Sequence, residues 1–487
     1  TRGLITILKS YKFTITENTP IDEDVALDPE LLGKVFENLL ASYNPETKTT
    51  ARKQTGSFYT PREVVNYMVE ECLITYLKNE LLNEKDHVIE LGRSQIDNML
   101  RQLVSYNDIN PFASMDDICK KIIKALDNCK ILDPACGSGA YPMGILQKMV
   151  HILHKIDPKN TEWKQRQIDR VNRAIEELEL NDNTEANEKS IRELKIQIED
   201  IEASFANNEL DYGRKLYLIE NCIYGVDIQP IATQISKLRF FISLVVDQKV
   251  DKTKKDFGIR PLPNLETKFV ASNTLISINK PKAGQFTGSL FDKKDVQKLE
   301  VELKKVRHKI FSIKTPRRKR ELREEDKIIR EKISDLLKDE YGNETALELA
   351  KWDPYDQNIS ATFFDKEWMF DVSDGFDVVI GNPPYIQLQK DGGKLAKLYD
   401  KLKYSTFERT GDIYSLFYEK GIQLLNENGV LCYITSNKWM RANYGATTRE
   451  FFVDKTIPLL LIDFANLQVF ETATVDTNIL MLQNKPK

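Results

Sequence analysis

A short apolar strand, a glycine-containing loop and a helix follow one another directly, and this succession restricts the possible folds more than any other feature of the chain. The strand is predicted from Lys130 to Leu132, the loop spans Asp133 to Gly139 (DPACGSG), and helical spacing of apolar residues continues to His151. Glycines let the backbone approach a ligand where a helix begins, although they also occur in plain tight turns. The segment predicts half of a βαβ unit, and therefore an α/β fold.

Six further apolar runs have the length and composition of buried strands. They are Cys222 to Val226, Phe269 to Ala271, Phe376 to Ile380, Val430 to Thr435, Leu459 to Ile462 and Asn478 to Leu482. With the strand before the glycine loop they predict a seven-stranded sheet. Strands that alternate with helical segments pair mostly in parallel, so we expect a mostly parallel sheet.

Helical patterns precede the glycine loop. Residues 1–55 are predicted to form an N-terminal helical connector, with a helix from Pro29 to Ser42. A second helix is predicted to begin at Thr60, which would be its N-cap. Pro61 is then the first helical residue, and Glu63 completes a capping box.

Two long polar intervals, at about residues 155–215 and 290–345, are predicted to be inserted helical hairpins, because their apolar residues step by three and four. In the first interval these residues are Ile168, Val171, Ile175 and Leu178, then Ile191, Leu194, Ile198 and Ile201. In the second they are Val296, Leu299, Leu303, Val306 and Ile310, then Ile329, Ile333 and Leu336.

A basic turn is predicted at the tip of the second hairpin, from Lys314 to Arg320. Its candidate phosphate-binding residues are Arg317, Arg318, Lys319 and Arg320. Such a cluster either contacts DNA phosphates or forms a solvated tip with no partner, and the sequence leaves both interpretations open.

Composition and charge exclude several classes of protein. Hydrophobic residues make up 41% and charged residues 30% of the chain, as is typical of a globular protein. The formal net charge is -4, so any contact with DNA has to come from a local patch. The six cysteines form no C-x-x-C pair, which favours reduced thiols in a cytosol. No apolar run approaches the roughly 20 residues that cross a bilayer, so we expect no membrane span.

An acidic residue is expected where the second strand of such a fold ends, because it can hold the hydroxyl groups of a ribose. Asp227 ends the predicted strand from Cys222 to Val226. It lies much further from the loop than the usual distance of about 20 residues, and the first predicted hairpin accounts for the difference. The loop also departs from G-x-G-x-x-G, so an adenosine ligand other than a dinucleotide is indicated.

The turn Asn382 to Tyr385 (NPPY) follows an apolar strand and carries the predicted chemistry. Two prolines withhold backbone donors, which leaves the Asn382 side-chain oxygen and the Pro383 carbonyl as acceptors. An exocyclic amino group of a base is a poor nucleophile, because its lone pair is delocalised into the ring. Two acceptors on its protons help to localise that pair, and Tyr385 can stack on a base flipped out of a duplex.

Three segments resemble the motifs of gamma-type DNA adenine-N6 methyltransferases, in the order found there. They are Thr55 to Pro61 (TGSFYTP), Asp133 to Gly139 and Asn382 to Tyr385. The resemblance is strongest to the methyltransferase part of type IIG restriction-modification enzymes. It implies a Rossmann-like class I methyltransferase domain over residues 56–487, S-adenosyl-L-methionine as cofactor, double-stranded DNA as partner, a bacterial cytoplasm and no metal.

The resemblance also implies roles for individual residues. Those expected to bind the cofactor are Tyr59, Thr60, Asp133, Ala135, Cys136, Gly137, Gly139, Asp227, Ile228 and Asn273. The expected catalytic residues are Asn382, Pro383 and Tyr385. Tyr385 and Phe470 are expected to stack on the flipped base, with core packing as the alternative for Phe470 and with Trp439 and Tyr444 as competing aromatics. A simple strand-end turn is the alternative for Asn273.

The substrate class is less restricted than the reaction. The NPPY turn also occurs in methyltransferases of protein glutamine and in some of RNA guanine. Cytosine N4 is an alternative target, and a decayed DNA-binding or scaffold subunit is a non-enzymatic alternative. Asp28 with Glu46 to Lys48 is a poor match to a nuclease motif, so we expect the nuclease and target-recognition modules elsewhere in a longer polypeptide. We therefore expect cofactor binding, with weak or absent specific methylation by this chain alone.

Overall fold

The computed structural model describes most of the chain after residue 58. The described ranges are 43–44, 49–50, 59–82, 92–180, 210–248, 262–278, 290–313, 315–341, 343–465, 467–470 and 475–485, with isolated positions in 188–202 and 252–259. The predicted helix from Pro29 to Ser42 and the Thr55 to Phe58 part of the first motif lie outside them.

A seven-stranded sheet organises the protein. The described strands are β1 (Tyr43–Asn44), β2 (Thr49–Thr50), β3 (Ile131–Asp133), β4 (Ile223–Asp227), β5 (Phe269–Ala271), β6 (Phe376–Gly381), β7 (Leu425–Ser436), β8 (Thr456–Asp463) and β9 (Thr477–Asn484). Strands β1 and β2 pair with each other, and the others form one sheet in the order β5-β4-β3-β6-β7-β9-β8. The five neighbouring strands β5, β4, β3, β6 and β7 are parallel, whereas β9 is antiparallel to both of its neighbours, β7 and β8. This confirms the expected mostly parallel, Rossmann-like α/β fold.

Helices cover both faces of this sheet. Those described are α1 (Arg62–Leu81), α2 (Arg93–Val104), α3 (Asp116–Asn128), α4 (Ala140–Ile156), α5 (Thr161–Leu180), α6 (Leu210–Asn221), α7 (Pro230–Val245), α8 (Leu290–Ser312), α9 (Pro316–Tyr341), α10 (Asn343–Lys351), α11 (Lys366–Phe370), α12 (Lys390–Asp400), α13 (Ile413–Leu424) and α14 (Ala446–Lys455). None of these helices is long and apolar enough to cross a membrane.

The alternation of side chains along each strand produces two cores, one on each face. In β3, Ile131 joins the first core and Leu132 the second. In β6, Val378 joins the first core and Val379 the second. Helices α1 to α4 pack in the first core, whereas α8, α9 and α13 pack in the second. Both faces are apolar because both are covered, which is why these strands read as continuous apolar runs.

The second predicted hairpin is present as α8 packed against α9, and it is held by buried charges as well as apolar contacts. Asp326 is completely buried and accepts from Arg307 Nε at 2.9 Å and from Arg330 Nε at 2.7 Å. One predicted contact is wrong: Leu336 is exposed, and Leu337 is the buried residue. The first hairpin has α5 as its first helix, and residues 188–202 are helical at the positions described.

The predicted cap of α1 is also wrong. The helix begins at Arg62 with Pro61 as its N-cap, and no side chain caps it. The Thr60 hydroxyl instead accepts a hydrogen bond from Asn382 Nδ2, at 3.1 Å. A tertiary partner therefore uses the group that local capping rules had assigned to the helix.

Gly375, which precedes β6, offers a test of the strand arrangement. Its φ is +102°, and a Cβ atom there would lie 2.7 Å from the backbone nitrogen of Asn426. We expect Gly375→Ala to lower the free energy of unfolding by about 2 kcal/mol or more, through strain and displacement of the backbone. Urea denaturation measures this change.

Gly213→Ala is the matched control for that substitution. Gly213 lies within α6, and the nearest atom to an added Cβ would be in ordinary contact at 3.7 Å. We expect this variant to gain up to about 1 kcal/mol, because alanine favours a helix interior. Equal stability of the two variants would contradict the described start of β6.

Candidate active site

The candidate site lies where three neighbouring strands end. Asp133 closes β3, Asp227 closes β4, and Asn382 directly follows β6. Because β3 pairs in parallel with β4 on one side and β6 on the other, their carboxyl ends meet at one edge. Chain order reverses across β3, and ligands of open α/β sheets bind at such a switch point.

The glycine loop is held in shape by α7. Gly137 and Gly139 have φ values of 51° and 83°, which favour glycine. Ser236 Oγ donates to the Gly137 carbonyl at 2.9 Å, and Arg239 Nη1 donates to the Ser138 carbonyl at 3.0 Å. Sequence patterns did not identify Ser236 or Arg239, because polar residues on an apolar helix give no local sign of what they bind. The loop, which contains the predicted Ala135 and Cys136, precedes α4 directly.

Asp227 links the loop to the end of β4. Its Oδ2 accepts from the Gly137 N–H at 2.9 Å, and its Oδ1 accepts from the Gln229 N–H at 2.8 Å. A carboxylate has about four acceptor sites, so one side chain can hold several donors at this strand end. The next side chain, Ile228, is 56% exposed beside it.

Asp133 is almost completely buried at the centre of this edge. Its Oδ1 accepts from the Ala135 N–H at 3.1 Å, and a Cβ on Gly381 would lie only 2.6 Å from that oxygen. Glycine at 381 therefore permits the close approach of β3 and β6. In the described part of the chain Oδ2 has no hydrogen-bond partner, and burial raises the pKa of this carboxyl well above its usual range.

Asn273 lies at the end of β5 with its side chain in a local turn. Its Oδ1 accepts from the Leu275 N–H at 3.1 Å, and its Nδ2 donates to the Tyr399 hydroxyl at 3.3 Å. The strand-end turn that the sequence left open is thus present. Tyr399, on α12, was not identified from the sequence, because 126 residues separate it from Asn273.

The predicted catalytic turn, Asn382 to Tyr385, is oriented by Thr60. The bond from Asn382 Nδ2 to Thr60 Oγ1 places the amide nitrogen toward α1 and the amide oxygen on the opposite side. Thr60 is 4% exposed, Pro383 is buried, and Tyr59 is half-buried next to them. The first and third motifs of the sequence therefore meet in space.

The predicted aromatic pair, Tyr385 and Phe470, is in contact, and the two rings leave no space for a base between them. Tyr385 is half-buried, and its hydroxyl donates to the Ile434 carbonyl at 3.0 Å. Its ring lies 6.2 Å from that of Phe470, with an interplanar angle of 62°. Phe470 is 1% exposed, so a base could stack between these rings only after they separate.

The competing aromatics have other partners. Trp439 is buried, and its Nε1 donates to Asn478 Oδ1 at 3.1 Å. The Tyr444 hydroxyl lies 3.4 Å from that of Tyr414, whose ring packs edge-on against Tyr385. Tyr444 therefore supports the ring that packs against Tyr385.

Asp412 is a buried acid beside the catalytic turn that sequence reasoning missed. It precedes α13 and pairs with Gln387 across a short bridge, two residues beyond Tyr385. Its Oδ1 is buried, without a hydrogen-bond partner in the described residues. Burial raises the pKa of Asp412 to about 6, and the N–H groups of Ile386 and Ile413 offset only part of this effect.

The predicted basic turn is instead the first turn of α9. Arg317 and Arg318 both contact Glu321, at 3.1 and 3.0 Å, and Lys319 contacts Glu266 at 3.4 Å. Arg320 is exposed. Glu266 precedes β5, so this cluster lies toward the amino end of that strand, away from the edge that carries the site.

A cavity of about 1000 Å³ lies at the end of the sheet where the parallel strands begin, opposite the end that carries the predicted motifs. Its lining includes Lys130, Glu220, Lys268 and Ser373, which precede β3, β4, β5 and β6 respectively. The described cavity therefore faces the amino ends of the parallel strands. The chemistry of the side chains, and not this volume, identifies the candidate site.

Comparison with protein families gives one match that includes the catalytic turn. A family model described as Eco57I restriction-modification methylase matches residues 221–470. That range covers Asp227, Asn273, Asn382 and Phe470, whereas Thr60 and the glycine loop precede it.

Curated relatives match this chain over different lengths. RM.MjaORFECS2P of Methanocaldococcus jannaschii, named as a putative type II restriction enzyme and methyltransferase, is 24% identical over 99% of this chain and 40% of its own length. RM.Eco57I of Escherichia coli, a type II restriction enzyme and methyltransferase, is 35% identical over 23% of this chain and 11% of its own length. The chain thus spans less than half the length of either relative.

Among solved structures, the cryoEM structure of a DrdV-DNA complex aligns with 96% of this chain, over 30% of the length of the DrdV-DNA complex's own chain. Its TM-score is 0.42 and its sequence identity 14%, so it adds nothing to the topology described above.

The buried acid leads to a prediction about stability. The folded protein holds the proton of Asp412 up to about pH 6, whereas the unfolded chain releases it near the ordinary value of 3.8. The folded state therefore binds more protons between these values, and stability falls as pH rises through them. We expect Asp412→Asn to gain up to about 3 kcal/mol over the parent between pH 4 and pH 8.

Denaturant unfolding of both proteins at several pH values measures this difference. Asp335→Asn is the control, because the Asp335 side chain is 68% exposed. A difference between parent and Asp412→Asn that does not change with pH would show that Asp412 is ionised in the folded protein throughout.

Proposed function

The chain belongs to the Eco57I restriction-modification methylase family, and from that premise we propose that it transfers a methyl group from S-adenosylmethionine to the N6 amino group of adenine in double-stranded DNA. The observation that carries this proposal is the meeting of Asn382 with Thr60, next to the aspartates that end β3 and β4. It supports an acceptor for an amino group directly beside a site suited to an adenosine ligand.

The residues present fit that cofactor. The buried Oδ2 of Asp133 suits the ammonium group of its methionine part, and the backbone of Gly137 and Gly139 permits close approach. The Asp227 carboxylate at the end of β4 suits ribose hydroxyls, and the exposed Ile228 offers apolar contact. Tyr59, Thr60, Ala135, Cys136 and Asn273 complete the proposed cofactor-binding set.

When bound, the cofactor would supply an electrophilic methyl group on a sulfonium sulfur. The chain's own part is to position and desolvate the base. The Asn382 oxygen and the Pro383 carbonyl would accept hydrogen bonds from the amino group and localise its lone pair. Tyr385 would stack on the flipped base, with Phe470 moving from its present edge contact to cover the other side.

We extend the proposal to the full-length protein. Both relatives are named as restriction enzyme and methyltransferase, and this chain covers less than half of either. A nuclease and a target-recognition module would be supplied by other parts of a longer polypeptide that acts on DNA in the cytoplasm. Residues 56–487 would form the methyltransferase domain within it.

Calorimetric titration with S-adenosylmethionine tests the cofactor site. We expect the parent chain to bind and Asp227→Asn to bind about 10- to 100-fold more weakly, because hydrogen bonds to a charged acceptor contribute about 1.5 to 3 kcal/mol. Asparagine keeps one acceptor oxygen for the loop, so the fold is expected to persist. Asp335→Asn is the exposed control, and no binding by folded parent protein would refute the proposal.

Thr60 tests how the amino group is positioned. We expect Thr60→Val to lower the rate of methyl transfer by about 10- to 100-fold, because Asn382 loses the group that orients it. Thr60→Ser keeps the hydroxyl and is expected to retain most of the rate. Transfer from labelled cofactor to mixed-sequence DNA, at high enzyme concentration, gives the rate.

Mass spectrometry of the hydrolysed DNA identifies the methylated base. N6-methyladenine supports the proposed target, whereas N4-methylcytosine would contradict it while preserving the reaction. Equal rates for the valine and serine variants would show that the Thr60 hydroxyl does not position Asn382.

A further inference from the structure

An exposed row of lysines lies on the helix that follows the catalytic turn. Lys394 and Lys397 belong to α12, and Lys401 is its C-cap. All three side chains are exposed. Their spacing of three and then four residues places them on one face of the helix. We call this face, formed by Lys394, Lys397 and Lys401, the lysine row.

The opposite face of α12 fixes the orientation of the lysine row. Ala396 and Tyr399 are each 3% exposed and belong to the second core. The Tyr399 hydroxyl also accepts from Asn273, at the end of β5. Because this face is buried in the core, the lysines on the opposite face point toward solvent.

Backbone hydrogen bonds join α12 to the catalytic turn. The Ile413 N–H donates to the Ile386 carbonyl at 2.9 Å, immediately after Tyr385, and the Leu388 N–H donates to the Gly411 carbonyl at 3.0 Å. The Ala396 N–H donates back to the Leu388 carbonyl at 3.1 Å. The lysine row is thus held near the turn that would receive the target base.

The charges of the row are uncompensated within the part of the chain that the structure describes. None of the three lysines forms an ion pair there, whereas Arg317 and Arg318 both contact Glu321. The chain as a whole carries a net charge of -4, so attraction for a polyanion has to be local. The lysine row provides such a patch beside the candidate site.

We propose that the lysine row binds the phosphates of the DNA strand that carries the target base. The seven helical steps from Lys394 to Lys401 span about 10 Å, and one strand of a duplex presents a phosphate every 3.4 Å or so along its axis. The row therefore matches about three successive phosphates. This inference rests on the proposed function for the identity of the polyanion, and it moves the phosphate contact from α9 to α12.

The test compares three sets of substitutions in the whole chain. The first is Lys394→Gln, Lys397→Gln and Lys401→Gln together, since glutamine keeps helix propensity and removes charge. The matched control is Lys305→Gln, Lys327→Gln and Lys332→Gln, which removes the same charge from exposed positions of α8 and α9. The third is Arg317→Gln, Arg318→Gln and Arg320→Gln. Fluorescence anisotropy with a labelled duplex, over a range of salt concentrations, gives each affinity.

We expect the first set to reduce the slope of log affinity against log salt by about 2 to 3, and to weaken binding roughly a hundredfold at 0.1 M salt. The other two sets are expected to change the slope by less than about one. An equal loss in the matched control, or a loss confined to the arginine set, would overturn the proposal. So would a parent chain that does not bind the duplex.

Titration with S-adenosylmethionine separates this inference from the function beneath it. We expect the lysine variant to bind the cofactor as the parent does, because none of the three side chains belongs to the proposed cofactor site. Duplex binding that depends on the row, without any cofactor binding by the parent, would support the DNA surface and refute methyl transfer. A loss of cofactor affinity in the lysine variant would show a general structural defect and overturn the proposal.

Discussion

The parallel pairing of β3 with β4 and β6 sets the relative positions of the side chains at the candidate site. Register places Asp133 opposite Gly225 of β4, and the absence of a side chain at Gly381 brings β6 against the Asp133 carboxyl. Both faces of these strands are buried, so neither strand can slip without exposing one of the two cores. The positions of the side chains at the carboxyl ends of these strands are therefore fixed by packing in the two cores.

The central strands β3, β4 and β6 could be predicted from the sequence because they are buried on both sides. Each becomes a continuous apolar run, and Phe269 to Ala271 was assigned with its observed bounds. Strand ends were less predictable, as in β7, which begins at Leu425 and not at Val430. Leu425 pairs with Phe376 of β6 and Val430 with Val378, so polar residues that show no apolar pattern lie between two paired positions.

The motifs identified which residues converge, but not how they are held. The predicted acids and the catalytic turn do meet at one edge, because parallel strands place their carboxyl ends together. Asp412, Ser236 and Tyr399 escaped prediction, since each contacts a segment distant in sequence and belongs to no local pattern. The arginines predicted to lie in a turn belong to the start of α9, and a run of positive charge does not show that Arg317 and Arg318 will contact Glu321.

The bond between Asn382 and Thr60 joins residues 322 positions apart. Such a contact forms only after most of the intervening chain has been ordered, because closing so long a loop carries an entropic cost that neighbouring contacts must first offset. The Asn382 side chain is thus oriented late in folding. The glycine loop contacts Asp227 and Ser236, which are only 90 and 99 positions away from Gly137, so an incompletely synthesised chain would form the proposed cofactor loop before the proposed acceptor for the amino group is in place.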